Sequence, residues 1–179
     1  MIFKGHFGKE VRETKMSRRI LVGTAASLAL FFMAISSVMA TSSVRQPYSE
    51  TVQFGPPGTP SEITYLLPSD ILIIEDMPWS GTYVGTLGTG TMDVVFERIT
   101  LNTATGKGTC FATWLITIGG NTIWGTANGK ITGGLTGTSE GYFRGTQGTG
   151  AFANIEKMGT YWANLATGAQ TAEGYIIYH

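Results

Sequence analysis

A chain of 179 residues, 42% apolar and 11% aromatic, has material for one globular unit with a sizeable core. Its zero formal charge hides an asymmetry: six of the twelve Lys and Arg residues lie at or before Arg19, so residues 41–179 hold six basic and ten acidic side chains and no basic stripe to neutralise a row of phosphates. That excludes nucleic acid as an expected partner. The single Cys110 excludes an intramolecular disulfide, and with His179 the only histidine after residue 40, no Cys/His metal site can be assembled, so neither metal nor cofactor is expected.

Residues 1–19 are charged and polar. Residues 20–40 then run from Ile20-Leu21-Val22 through Leu28-Ala29-Leu30-Phe31-Phe32 without a charge and leave through Val38-Met39-Ala40. This is the order of an export signal cut after Ala40, and Met16-Ser17-Arg18-Arg19 supplies a compact positive start. The alternative is an uncleaved anchor helix, since about 20 apolar residues can cross a bilayer. The small-residue exit and the polar Thr41-Ser42-Ser43 favour cleavage. Either way the expected location is secreted or in the cell envelope, with membrane contact only through this N-terminal segment.

All six prolines fall between Pro47 and Pro78. The run Gly55-Pro56-Pro57-Gly58-Thr59-Pro60 cannot hold a helix or a central strand, because each proline removes a donor and restricts its predecessor. Residues 41–60 therefore read as an extended lead-in, and 61–179 as the folded domain. Ile63–Leu67 and Ile71–Glu75 are short apolar runs suited to edge strands. From Trp79 onward there are twenty glycines, many threonines and no apolar period of helical length. The strands expected are 81–87, 91–102, 107–118, 121–132, 138–145, 157–165 and 170–178, with 62–67 as the eighth. In 107–118, Cys110, Ala112, Trp114, Ile116 and Ile118 share one face, an alternation that requires a core on that side. Gly119-Gly120 fits a two-residue hairpin turn, and Thr105-Gly106 and Thr167-Gly168 close longer ones. Closing the sheet removes its two raw edges, so the expected fold is all-β, a closed antiparallel eight-stranded barrel of calycin-like character. A two-sheet sandwich is the alternative.

The run Gly148-Thr149-Gly150-Ala151-Phe152-Ala153-Asn154-Ile155, with Gly159-Thr160 following, resembles the glycine corner of the allene oxide cyclase and dirigent group of eight-stranded barrels. In such a corner the glycines permit positive φ and Phe152 tucks beneath as a plug. The resemblance covers about the last hundred residues and implies a barrel. The plant members include cyclases and dirigent proteins that guide radical coupling. Because this sequence departs from them in length and around the corner, it implies no catalytic residue here.

Of the motifs that suggest chemistry, Gly137-Thr138-Ser139-Glu140-Gly141 matches G-x-S-x-G, yet a nucleophile elbow needs a strand feeding a helix, and Tyr142-Phe143-Arg144 continues as strand. Gly125-Thr126-Ala127-Asn128-Gly129-Lys130 is one residue short of a phosphate loop. Glu97 and Arg98 place charges on opposite faces of one strand, so one of them is a candidate to point inward, with Arg144, Tyr142 or Tyr161 as partner. A solvated charge is the competing reading. The candidate ligand-binding set is therefore Glu97, Arg98, Trp114, Tyr142, Arg144 and Tyr161, at a barrel mouth. The expected role is non-catalytic: binding of a small apolar ligand, or partner contact, with self-association allowed. The alternatives are an isomerase or cyclase in which Glu97 steers a confined substrate, and a structural envelope protein.

Overall fold

The computed structural model describes residues 43–179; the expected signal or anchor at 1–40 lies outside the described residues. Among the described residues no helix is long and apolar enough to cross a membrane. The described residues form nine strands, β1 (Val44–Phe54), β2 (Glu62–Leu66), β3 (Ile71–Gly85), β4 (Gly88–Asn102), β5 (Lys107–Ile118), β6 (Asn121–Thr132), β7 (Thr138–Gly148), β8 (Ile155–Asn164) and β9 (Ala169–Tyr178). From β3 to β9 each strand pairs antiparallel with the next, β9 pairs with β1, and β1 returns to β3 through Glu50↔Gly85 to Phe54↔Gly81. The result is a closed antiparallel eight-stranded barrel, with β2 appended to β3 as a ninth strand.

One expectation is corrected here. The barrel's eighth member is not 62–67 but Val44–Phe54, inside the segment read as a lead-in, and β3 runs unbroken through Pro78. The prolines misled because they were weighed as if each strand had two neighbours. Pro47 lies on the part of β1 that pairs only with β9, since pairing to β3 starts at Glu50. Pro78 lies between the stretch of β3 paired to β2 (Ile71–Glu75) and the stretch paired to β1 (Gly81–Gly85), where β4 is its one strand partner and the Gly58 N–H donates to the Pro78 carbonyl from the other side at 2.8 Å. At both sites the missing N–H faces away from the strand that pairs with the proline, so the ladder loses no bond.

The interior face follows the alternation of each strand. Tyr48, Val52 and Phe54 of β1, Trp79 and Tyr83 of β3, Met92 and Val94 of β4, Ala112, Trp114 and Ile116 of β5, Ile123 of β6, Phe143 of β7 and Ile176 of β9 form the main core. A second cluster of Ile74, Ile99, Leu101, Cys110 and Ile131 fills the end nearest β2. Large rings fit because glycines face them: a Cβ at Gly145 would lie 2.3 Å from the Trp114 indole. At the glycine corner Gly150 takes φ 57°, the backbone N–H of Ala151 donates to Asn121 Oδ1 at 2.9 Å, and Phe152 is buried. The plug expected beneath that corner is thus present.

If β1 closes the barrel, removing it must open two sheet edges. A chain beginning at Gly55 is expected to lose cooperative urea unfolding and to aggregate, whereas one beginning at Ser43 keeps a single transition; equal cooperativity in the two would refute this closure.

Candidate functional site

The polar centre of the barrel is a pair the sequence reading passed over. Glu50 stands on the inward parity of β1 between Tyr48 and Val52, and Lys157 on the inward parity of β8 between Ile155 and Gly159. Both are almost fully enclosed, and Lys157 Nζ donates to Glu50 Oε2 at 2.7 Å. The ammonium also lies 4.5 Å from the ring centre of Tyr48, 4.7 Å from Trp114 and 4.8 Å from Phe143. Those ring faces stabilise a cation that has left water. Desolvation is still the larger effect: it pulls Lys157 from its ordinary 10.5 to about 8, against the opposing attraction of Glu50. Tyr83 nearby is pushed well above its usual range, first by burial and then by the Glu50 charge.

Beside this pair is a triangle of weak donors. Ser139 Oγ and Tyr161 OH are 3.1 Å apart, and Cys110 Sγ is 3.5 Å from the serine oxygen and 3.6 Å from the phenol. Gly129 makes room for it, since a Cβ there would meet Tyr161 OH at 2.0 Å. Burial raises the Tyr161 hydroxyl well above its usual range, with Cys110 the next contributor. Ser139 is therefore a strand residue turned inward, bonded to a phenol and a thiol, and the His179 imidazole is at 3.9 Å from Glu156 instead. That arrangement has no general base for a serine nucleophile.

The interior space that these groups share with Trp79, Trp114 and Phe143 measures about 30 Å³. That is room for about two water molecules.

The six candidate residues do not form one site. Trp114 and Tyr161 point into the barrel. Glu97 is the extra residue of a bulge, because Phe96 pairs with Ala112 and Arg98 with Phe111, so the alternation that was to turn one charge inward is broken at that point. No hydrogen bond or ion pair among the described residues joins Glu97 to Arg144, Tyr142 or Tyr161. Arg98 instead faces Glu75 at 3.8 Å, and Arg144 Nε donates to Glu156 Oε1 at 2.6 Å, both arginines being largely exposed. Tyr142, at 73% exposure, points to solvent.

Arg98 and Tyr142 nevertheless belong together on the outside. The register aligns Arg98, Phe111, Asn128, Tyr142, Thr160 and Glu173 as direct neighbours across β4 to β9, and a second row runs Thr109, Lys130, Glu140, Trp162 and Thr171. Between them lies a groove of about 1070 Å³ whose floor is the backbone of Cys110, Gly129, Gly141, Tyr161 and Ala172. With strands about 4.8 Å apart, the rows follow an arc of roughly 25 Å around six of the eight barrel strands. Trp162, which is outside the candidate set, is exposed on its wall.

Compared with known proteins, the sequence matches no family model and no curated protein sequence.

Two measurements check the buried pair. Lys157→Met alone leaves Glu50 enclosed without a partner and is expected to cost about 3–5 kcal/mol in urea unfolding, most of it recovered in Glu50→Leu/Lys157→Met. Between pH 8 and 10.5 the unfolded chain holds the Lys157 proton that the fold has released, so this residue's contribution to stability rises with pH across that window. Above about pH 10 the sign reverses, because unfolded tyrosines ionise while Tyr83 and Tyr161 stay neutral in the fold. The urea midpoint is expected to rise above about pH 8, pass through a maximum near pH 10 and then fall, and the double variant is expected to lose the rise.

Proposed function

We propose that the protein is a non-catalytic binding barrel that meets its partner through the outer groove between β4 and β9, and not through its interior. The observation that carries this reading is the filled interior, with only about 30 Å³ of free space. Sites for small organic molecules run to several hundred Å³. An apolar ligand or a cyclase substrate inside this barrel would have to displace Trp114, Phe143 or Tyr161, each held by packing or hydrogen bonds. The groove already presents Tyr142 and Trp162 to solvent, and aromatic side chains of this kind dominate binding surfaces.

Kinship with the allene oxide cyclase and dirigent group remains part of this proposal, supported by eight closed strands and a buried Phe152 under a glycine corner. So does placement outside the cytoplasm, supported by the apolar run 20–40.

Hydroxyl-radical footprinting in the native host, set against the purified protein, tests the outer-face reading. Tyr142 and Trp162 are expected to be protected in situ and reactive when pure. Equal reactivity in the two settings would overturn it, as would a stoichiometric apolar molecule that native mass spectrometry finds retained by Tyr142→Ala/Trp162→Ala.

A further inference from the structure

We infer that the outer groove takes a linear, uncharged polysaccharide. The inference rests on the proposal that this groove is the binding face, and adds the chemistry of what lies in it.

The shape comes first. The groove crosses the strands instead of running along one, and its floor is central sheet, where the backbone donors and acceptors of β5 to β8 are spent on neighbouring strands. A polypeptide recognised through its main chain needs a free sheet edge. This trough has none along its floor, so recognition falls to the two walls of side chains. Those walls follow the curvature of the barrel over six of its eight strands, an arc of roughly 25 Å, which is more than a compact ligand covers.

Charge comes next. Arg98 and Lys130 are matched by Glu140 and Glu173 along the same rows, with Lys130 and Glu140 directly opposite each other. A polyanion would meet two carboxylates and a polycation two bases, so neither gains from the groove as a whole. What remains is an uncharged chain.

The walls then define its surface. Phe111 and Tyr142 lie in one row two strands apart, about 10 Å, and Trp162 stands on the other row diagonal to Tyr142. Between them come the hydroxyls of Thr109, Thr160 and Thr171 and the amide of Asn128. A pyranose ring has an apolar C–H face and a rim of hydroxyls, and it needs an aromatic plane for the first and small neutral donors and acceptors for the second. The groove supplies both in alternation, and its two walls would hold successive rings of one chain.

Affinity electrophoresis of the full chain in gels holding hydroxyethylcellulose, galactomannan or laminarin, with depletion onto insoluble cellulose and chitin, tests the inference. The wild-type protein is expected to be retained by at least one of these and to stay retained in high salt. Tyr142→Ala and Trp162→Ala should each weaken retention about tenfold, the loss typical of removing one stacking platform, and the double variant should abolish it. Trp124→Ala, on an outer depression of its own with Arg144 and Gln147, should leave retention unchanged. Tyr142 and Trp162 are exposed, so circular dichroism of their variants is expected to match wild type. Retention on none of the five probes overturns the inference. Salt-sensitive retention on dextran sulfate alone, lost with the same two variants, overturns the uncharged polymer but leaves the groove as the binding face. Retention indifferent to both variants overturns the groove itself and the reading beneath it.

Discussion

The ion pair between Glu50 and Lys157 is the constraint on which the rest of the barrel depends. It joins residues 107 positions apart, one on β1 and one on β8, strands that are not neighbours in the sheet because β9 lies between them. An enclosed ammonium cannot be left unpaired, so any arrangement that puts Lys157 inside must also bring a carboxylate inside. Glu50 meets that demand only if β1 has entered the wall and taken up its register against both β9 and β3. Burial of the pair and closure of the sheet are therefore one event. The pair contributes little net stability against an apolar substitute, and its consequence is specificity of register, since a slip of one residue on β1 would turn Glu50 outward and leave Lys157 bare.

Around that pair the interior is filled by complementary size. Trp114 spans toward β7 because position 145 has no side chain, and Tyr161 reaches Ser139 because position 129 has none. Each large ring is thereby matched to a glycine on a facing or neighbouring strand, and the barrel closes with only water-sized space inside. The same fit explains how a polar triangle can sit in the core. Ser139, Tyr161 and Cys110 satisfy one another, and no buried side-chain nitrogen or oxygen among the described residues lacks a partner.

Much of this architecture was legible from pattern. The bounds of β5 and β6 coincide with the expected 107–118 and 121–132, and Gly119 and Gly120 both take positive φ in the turn between them. There alternation is uninterrupted and the turn chemistry is local. The reading failed where the deciding fact is a neighbour's position. Whether Pro47 and Pro78 break a strand depends on which side of it is paired, and that is a property of the closed sheet. The candidate site failed at Glu97 for a related reason: one bulge shifts the parity of everything beyond it, and a run such as Val94-Val95-Phe96-Glu97-Arg98-Ile99 carries no mark of where the extra residue falls. The true polar centre did leave a trace. Tyr48, Glu50, Val52 and Phe54 alternate as a half-buried strand with one carboxylate on the apolar side, and Ile155, Lys157, Gly159, Tyr161 and Ala163 do the same with one cation. Two lone opposite charges, each on an otherwise apolar face, are what a buried pair looks like in sequence.

A barrel built in this way divides its labour between its two faces. Inward positions are fixed by size, by the pair and by the triangle, and nearly every change there is felt by several strands at once. Outward positions are free of those demands, yet in two successive rows they do not become a uniform coat of charge. They keep a half-buried Phe111 and the exposed Tyr142 and Trp162, residues that a solvated surface has no need of. Scattered singly, such rings would need no explanation. Aligned by register across adjacent strands, on either side of one trough and with opposite charges along it, they form the surface on which the proposed uncharged, ring-bearing chain would lie. The closed interior is what makes this surface dependable: strands that cannot slip hold the two rows in step.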